Sequence, residues 1–340
     1  MVRVVQFERY ARPHLLSIER VYQVVRRHLP EDVQVEVWRA RREPRSLWAR
    51  LADAWAARSA QGEVNHVTGD AHYLTWFLDP RRTVLTIHDT VSLDRMRGLK
   101  RWVFRFLWYQ VPVRRCAAVV TISEAARECL ARHVSLRHTK VLTIPNPAEA
   151  LADQSAPQHP QESEAGSRPL VLHIGTKANK NLDRHVAALA GLDVRLLVVG
   201  RLTAEQHGLL ERSMLEYENR FNLSDEELAA AYRSADVLLF TSLAEGFGLP
   251  VVEAQVAGVP VVTSNCSSLP EVAGEGALLV DPRDVSAIRA AVRAVLSEPD
   301  LRRRLIASGR SNAARFEPAM VAQRYAAHYR RVAAEAGISR

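Results

Sequence analysis

Ten short runs rich in Val, Ile and Leu, separated by amphipathic stretches, constrain this chain more than any other feature. Val2–Phe7, Val33–Val37, Val84–Ile87, Ala117–Ile122 and Val141–Ile144 fall in the first half. Leu170–Ile174, Val194–Val199, Val237–Phe240, Val259–Thr263 and Ala277–Val280 fall in the second. Apolar runs of this length suit parallel strands buried on both faces, with the amphipathic spacers as covering helices. Between the two sets lies Ala148–Pro169, rich in Gln, Ser, Pro, Glu and Ala and without periodicity. It reads as a boundary, with a linker over 151–168. A chain of 340 residues is also long for one core. The expectation is α/β: a doubly wound domain at 1–150, a second at 169–316, and a terminal helix at 317–340 that packs back towards the first. Helix starts agree with this. Ser224 and Glu227 fit a capping box, and Ser123 fits an N-cap beside Glu124. Pro318 suits a first helical turn, followed by Val321, Tyr325, Tyr329 and Val332 along one face.

Charge divides along the same boundary. The net charge is +8, yet residues 1–150 carry 25 Lys+Arg against 15 Asp+Glu, and residues 151–340 carry 21 against 23. All six Trp lie in the first half. Arg95–Arg115 contains seven basic residues and no acid, interleaved with Trp102, Phe104, Phe106 and Trp108. Such a stretch suits anionic headgroups or an anionic acceptor, giving a peripheral membrane contact through residues 95–115. The competing reading is a helix whose Phe104, Leu107 and Trp108 pack inward while its arginines face water. Nucleic-acid binding would explain the basic pI, but no nucleic-acid motif accompanies it and the second half is net acidic. Cys116, Cys129 and Cys266 lack metal or disulfide spacing and read as buried reduced thiols of a cytoplasmic protein. No stretch has the ~18 apolar residues of a spanning helix.

The second half holds Thr241-Ser-Leu-Ala-Glu245-Gly246-Phe247-Gly248-Leu249-Pro250-Val-Val-Glu253. It follows an expected strand and leads into an expected helix. A glycine-rich turn there presents backbone N–H groups beside the positive helix end, which suits a phosphate. Gly246 and Gly248 allow close backbone approach. Glu253 is then expected in the first helical turn, as a carboxylate facing the same crevice as Glu245.

The string resembles the donor-site signature of retaining GT-B glycosyltransferases of family 4. The likeness covers most of residues 170–315. It includes His173-Ile-Gly175-Thr176-Lys177-Ala-Asn-Lys180-Asn181-Leu182, Leu223–Asp236, Thr263–Gly274 and Val280-Asp281-Pro282. In the first half, Thr86-Ile-His88-Asp89, Thr121-Ile-Ser123-Glu124 and Ile144-Pro-Asn146-Pro147 are similar to family strings. The glycine pair common after the first strand is replaced by Phe7-Glu8-Arg9-Tyr10-Ala11-Arg12.

The resemblance implies two Rossmann-like domains facing each other across a crevice, with transfer of a hexose from a GDP- or UDP-sugar. The acceptor is then a saccharide or lipid-linked saccharide bound by residues 1–150, in surface-polysaccharide assembly at the inner face of the plasma membrane. It implies that Gly175, Thr176, Lys177 and Lys180 bind the diphosphate, with Lys180 also catalytic. Phe247, Gly248 and Leu249 would hold sugar and diphosphate through their N–H groups, beside Gly246. Glu253 would accept ribose hydroxyls, Glu245 would lie by the donor sugar, and His88 would lie near the transferred sugar. Arg201, Asn222 and Leu223 would meet the nucleobase. Retention would proceed by front-face attack, the leaving phosphate helping to take the acceptor proton. No metal or cofactor is expected, because Asp-x-Asp is absent and lysines and a helix end supply the charge. A noncatalytic sugar-nucleotide-binding subunit, or an inverting GT-B enzyme or epimerase, remain as alternatives.

Overall fold

The computed structural model describes residues 1–11, 17–44, 46–90, 93, 96–149 and 168–337. First come β1 (Val2–Glu8), α1 (Ser17–Arg27), β2 (Val33–Arg39), α2 (Leu47–Ala57), β3 (Val64–Val67) and β4 (Thr83–Ile87). They are followed by α3 (Gly98–Phe104), α4 (Val111–Arg115), β5 (Ala118–Thr121), α5 (Glu124–His133) and β6 (Val141–Thr143). A π-helical stretch, Arg105–Gln110, joins α3 to α4. Next are β7 (Leu170–Ile174), α6 (Leu182–Leu189), β8 (Arg195–Val199), α7 (Ala204–Arg212), β9 (Glu216–Arg220), α8 (Asp225–Ser234) and β10 (Val237–Phe240). The chain ends with α9 (Leu249–Val256), β11 (Val261–Ser264), α10 (Leu269–Ala273), β12 (Ala277–Val280), α11 (Val285–Ser297), α12 (Pro299–Ala313) and α13 (Pro318–Glu335). The linker expected at 151–168 falls outside the described residues except for Arg168. Arg95 also falls outside them.

The chain divides into two compact units, Met1–Pro147 with Pro318–Arg340, and Ala148–Glu317. In the first, the described strands form a parallel sheet in the order β2-β1-β3-β4-β5-β6. One face packs on α1 and α13, through Val21, Tyr22, Tyr325 and Tyr329. The other packs on α2, the 3-10 turn His72–Trp76 and the π-helical region, through Ala54, Tyr73, Tyr109 and Val113. In the second unit the order is β12-β11-β10-β7-β8-β9, also parallel. Successive residues of β10 show why its sequence is apolar throughout. Val237 and Leu239 enter the core under α6 and α11, while Leu238 and Phe240 enter the core under α8, α9 and α10.

Two strands were not foreseen. β3 reads Val-Asn-His-Val, and its polar pair hides it from an apolar scan, yet Asn65 and His66 are both fully buried. Their polar atoms are satisfied: Asn65 Nδ2 donates to Gln61 Oε1 at 2.9 Å, and His66 Nδ1 meets the Tyr329 hydroxyl at 2.7 Å. β9, Glu-Tyr-Glu-Asn-Arg, is an edge strand with alternate residues exposed, so it needs no apolar run. The thiols also differ from expectation. Cys116 is buried beneath the sheet, but Cys129 and Cys266 are only half-buried. Cys129 lies on a surface helix facing Thr90, and Cys266 lies in a loop over the Leu243 carbonyl.

Candidate active site

In the second unit the strand order reverses between β7 and β10, so the segments leaving their carboxyl ends diverge around a shared opening. In doubly wound sheets this is where ligands bind. One segment is Gly175–Asn181 and the other is Thr241–Gly248. Gly175 has φ of +90°, and a Cβ there would stand 2.9 Å from Lys180 Cε, so glycine leaves room for the lysine stem. Lys180 Nζ then reaches Glu245 Oε1 at 2.7 Å, with both side chains largely buried, and lies 4.4 Å from the centroid of the Phe240 ring. Lys177 begins the turn Ala178–Lys180 and is exposed.

Backbone clasps fix the two segments to each other. Leu243 N donates to Asn179 O at 2.8 Å, and Asn179 Nδ2 donates to Ala244 O at 3.0 Å and to Glu245 Oε1 at 3.3 Å. Asn181 adopts φ of 66° and is fully buried. Its Nδ2 donates to Thr241 O at 3.0 Å and to Pro282 O at 2.7 Å. Asparagine tolerates this left-handed conformation better than most residues, and its amide supplies the donor that two loop carbonyls need. Ser267 Oγ accepts from Glu245 N at 3.1 Å, and Ser268 Oγ stands 3.0 Å from Glu245 O and 2.8 Å from Phe247 O.

Beneath the segments runs a chain of two buried histidines whose hydrogen order is forced. His173 Nε2 is 2.6 Å from Gly175 O and must donate, because a carbonyl only accepts. Burial holds the His173 pKa down to about 4, so the ring is neutral near pH 7 and its Nδ1 accepts. His185 Nδ1, 2.7 Å away, therefore donates, leaving His185 Nε2 to accept from Thr241 Oγ1 at 2.7 Å. Burial likewise depresses the His185 pKa. A carbonyl after β7 and a hydroxyl after β10 are thus tied through one neutral strut.

The helix end adds its own features. Gly248 is the N-cap of α9 at φ 101°, and a Cβ there would lie 2.5 Å from Leu269 Cδ2. Pro250 lies in the first turn, where the first N–H groups of a helix have no intrahelical acceptor. Phe247 turns its ring inward onto Phe316, with centroids 5.5 Å apart, so only its backbone faces the loop. Glu253 Oε2 accepts from the Tyr232 hydroxyl at 2.6 Å, which fixes the carboxylate in the first turns of α9. Beside the Gly175 turn, Thr176 Oγ1 donates to Arg201 O at 2.6 Å. The exposed Arg201 guanidinium lies 5.0 Å from the Phe221 centroid, with Asn222 at φ 56° and half-buried Leu223 next in the chain.

The structure therefore brings together Gly175, Thr176, Lys177, Lys180, Glu245, Gly246, Phe247, Gly248, Leu249 and Glu253 around the ends of β7 and β10. Arg201, Asn222 and Leu223 sit at the ends of the neighbouring β8 and β9. His88 belongs to the first unit, just past β4. It donates from Nε2 to Thr68 O at 2.8 Å, and burial lowers its pKa. Where a glycine pair was missing after β1, buried Glu8 pairs with Arg26 at 3.0 Å and Arg39 at 2.8 Å, and Arg9 pairs with Glu19 at 2.8 Å. Sequence reasoning assigned no role to Asn179, Asn181, Ser267, the histidine pair or Tyr232. Their signal was faint: Asn179, Asn181 and Ser267 fall in the segments between strand and helix, while His173, His185 and Tyr232 lie within β7, α6 and α8. Among the described residues no three His, Cys, Asp or Glu side chains group as a metal ion would need.

Residues 154–312 match the family described as Glycosyl transferases group 1, and residues 4–150 match that described as Glycosyltransferase Family 4. O-antigen chain mannosyltransferase B of Escherichia coli is 30% identical over 291 residues, covering 77% of this chain and 73% of that protein. MMP α-(1→4)-mannosyltransferase of Mycolicibacterium hassiacum is 30% identical over 300 residues, covering 80% and 71%. Among solved structures, Anabaena HepE in complex with UDP and glucose has a TM-score of 0.75 at 14% identity, covering 96% of this chain and 99% of that one.

Proposed function

The chain belongs to glycosyltransferase family 4 and has its two-domain GT-B fold, and on that premise we propose that it transfers a hexose from a GDP- or UDP-sugar, with retention, onto a saccharide or lipid-linked saccharide. The observation that carries this reading is the buried Lys180–Glu245 pair, clasped where the strand order reverses. Mannose is the first sugar to test, because two relatives are named mannosyltransferases. HepE is named in complex with UDP and glucose, which makes a nucleoside diphosphate the natural probe.

Lys180 and Lys177 face the diphosphate, together with Gly175, Thr176 and the N–H groups of Phe247, Gly248 and Leu249 at the start of α9. These groups oppose the negative charge that grows on the leaving phosphate, in place of a metal ion. Glu253, oriented by Tyr232, accepts the ribose hydroxyls. Arg201, Asn222 and Leu223 line the base, with Phe221 as a flat neighbour. Glu245 positions the donor sugar through its hydroxyls. The acceptor oxygen bonds to the anomeric carbon on the face from which the phosphate oxygen departs. The acceptor's proton goes to that phosphate, and the nucleoside diphosphate leaves. Residues 1–150 bind the acceptor, and the setting is cytoplasmic surface-polysaccharide assembly.

The test supplies GDP-mannose or UDP-glucose with a panel of saccharide and lipid-linked acceptors, and reads the anomeric configuration of the product by NMR. An α product from the α donor is expected, undiminished by a metal chelator. Glu245→Gln should lower turnover by about 100-fold or more while the melting temperature is kept. A β product would refute retention. Absence of nucleoside diphosphate release with every acceptor would point to a noncatalytic sugar-nucleotide-binding subunit.

A further inference from the structure

The region from α3 to α4 carries two aromatic rows, of which packing uses one. The inner row is Phe104 and Trp108, their rings 5.4 Å apart at 16°, packed into the core beside Tyr73 and Tyr109. The outer row is Trp102 and Phe106, also four residues apart, with rings nearly parallel at 3° and 5.7 Å apart. These two are 54% and 41% exposed, and Leu99 one turn earlier is 76% exposed. A helix that serves only the core buries its aromatic stripe and turns polar residues outward. Here the stripe is buried and a second one faces out.

α2 lies against the same region. The Arg50 guanidinium stacks 4.7 Å over Trp108, and Trp76 Nε1 of the intervening turn donates to Leu107 O at 3.4 Å. α2 adds Trp48 and Trp55, 80% and 59% exposed, with Arg58 5.2 Å over the Trp55 ring. Charge identifies what covers this layer. Residues 97–115 carry Arg97, Lys100, Arg101, Arg105, Arg114 and Arg115 and no acid. A second copy of the chain would set like charges against each other. Rings with an apolar body and a polar edge, flanked by guanidinium groups, fit the boundary between acyl chains and anionic headgroups. No helix among the described residues is long and apolar enough to cross a membrane.

We infer that the layer formed by Gly98–Gln110 and α2 docks in the plane of a bilayer rich in anionic phospholipid. The inference stands on this surface alone and is independent of the donor site. The test floats the full chain with vesicles of phosphatidylglycerol and phosphatidylcholine in equal parts, and with vesicles of phosphatidylcholine alone. Binding to the anionic vesicles only, weakened by salt, is expected. Trp102→Ala with Phe106→Ala should abolish flotation with the melting temperature unchanged. Lys100→Gln with Arg101→Gln should weaken it about fivefold per charge removed. The proposal is overturned by failure to float with either vesicle, or by equal flotation of the aromatic variant. It is overturned equally by a lowered melting temperature in that variant, which would mean the rings pack, or by a solution dimer that the variant dissociates.

Discussion

His173 and His185 illustrate how much of the site is decided by single residues whose work cannot be read from their type. A histidine within an apolar strand suggests nothing about direction. Only its spacing from the Gly175 carbonyl and from its partner fixes the order of protons. The glycines were legible, because a turn between strand and helix needs them. The asparagine and serine clasps were not, because each bonds to a carbonyl or amide distant in sequence. Gly248→Ala must place a Cβ at φ 101° and 2.5 Å from Leu269 Cδ2, which should cost about 1–3 kcal/mol in urea denaturation. An unchanged midpoint would mean that the loop relaxes freely. The His173 pKa is about 4 in the folded chain against about 6.5 unfolded, so between these values the unfolded state takes up the proton. The stability is complete above pH 6.5 and falls on acidification towards pH 4, by about 1.4 kcal/mol per pH unit for this one group. In His173→Asn the second unit should show a flatter dependence between pH 7 and 5. An identical slope would contradict the buried neutral ring.

At the scale of elements, strands with a continuous apolar run announced themselves, as with β7 and β10, while β3 and β9 had different chemistry. β3 sits in mid-sheet yet carries a buried polar pair, because α13 supplies the tyrosine that satisfies it. That pairing joins residues 66 and 329, a separation no local pattern can reveal. The hydroxyl of Tyr329 also receives Gln6 Nε2 at 3.3 Å, and Gln6 Oε1 receives Arg26 Nη1 at 2.7 Å. Tyr329→Phe keeps the ring and strands these buried groups, so the first unit should lose about 1–3 kcal/mol. Urea unfolding followed by tryptophan fluorescence measures this well, since all six tryptophans lie in residues 1–150. No change in midpoint would mean that the polar network contributes nothing net.

At the scale of the whole molecule, the division of charge is the most informative number in the composition. The first 150 residues hold a surplus of ten positive charges, from 25 against 15, and much of it lines a surface rather than a site. The remainder is near neutral, with 21 Lys+Arg against 23 Asp+Glu. That contrast was visible in the sequence, as was the tandem α/β plan. Which strand end pairs with which was not, because the reversal between β7 and β10 depends on long-range order in the sheet. The most direct measurement is calorimetric titration of UDP, GDP and ADP into the wild-type chain, Lys180→Ala and Glu253→Gln. One of the three nucleotides should bind the wild type, and each substitution should weaken it about 10- to 100-fold with the fold intact. No binding by any of them, or variants that bind as tightly as the wild type, would contradict a donor site at the ends of β7 and β10.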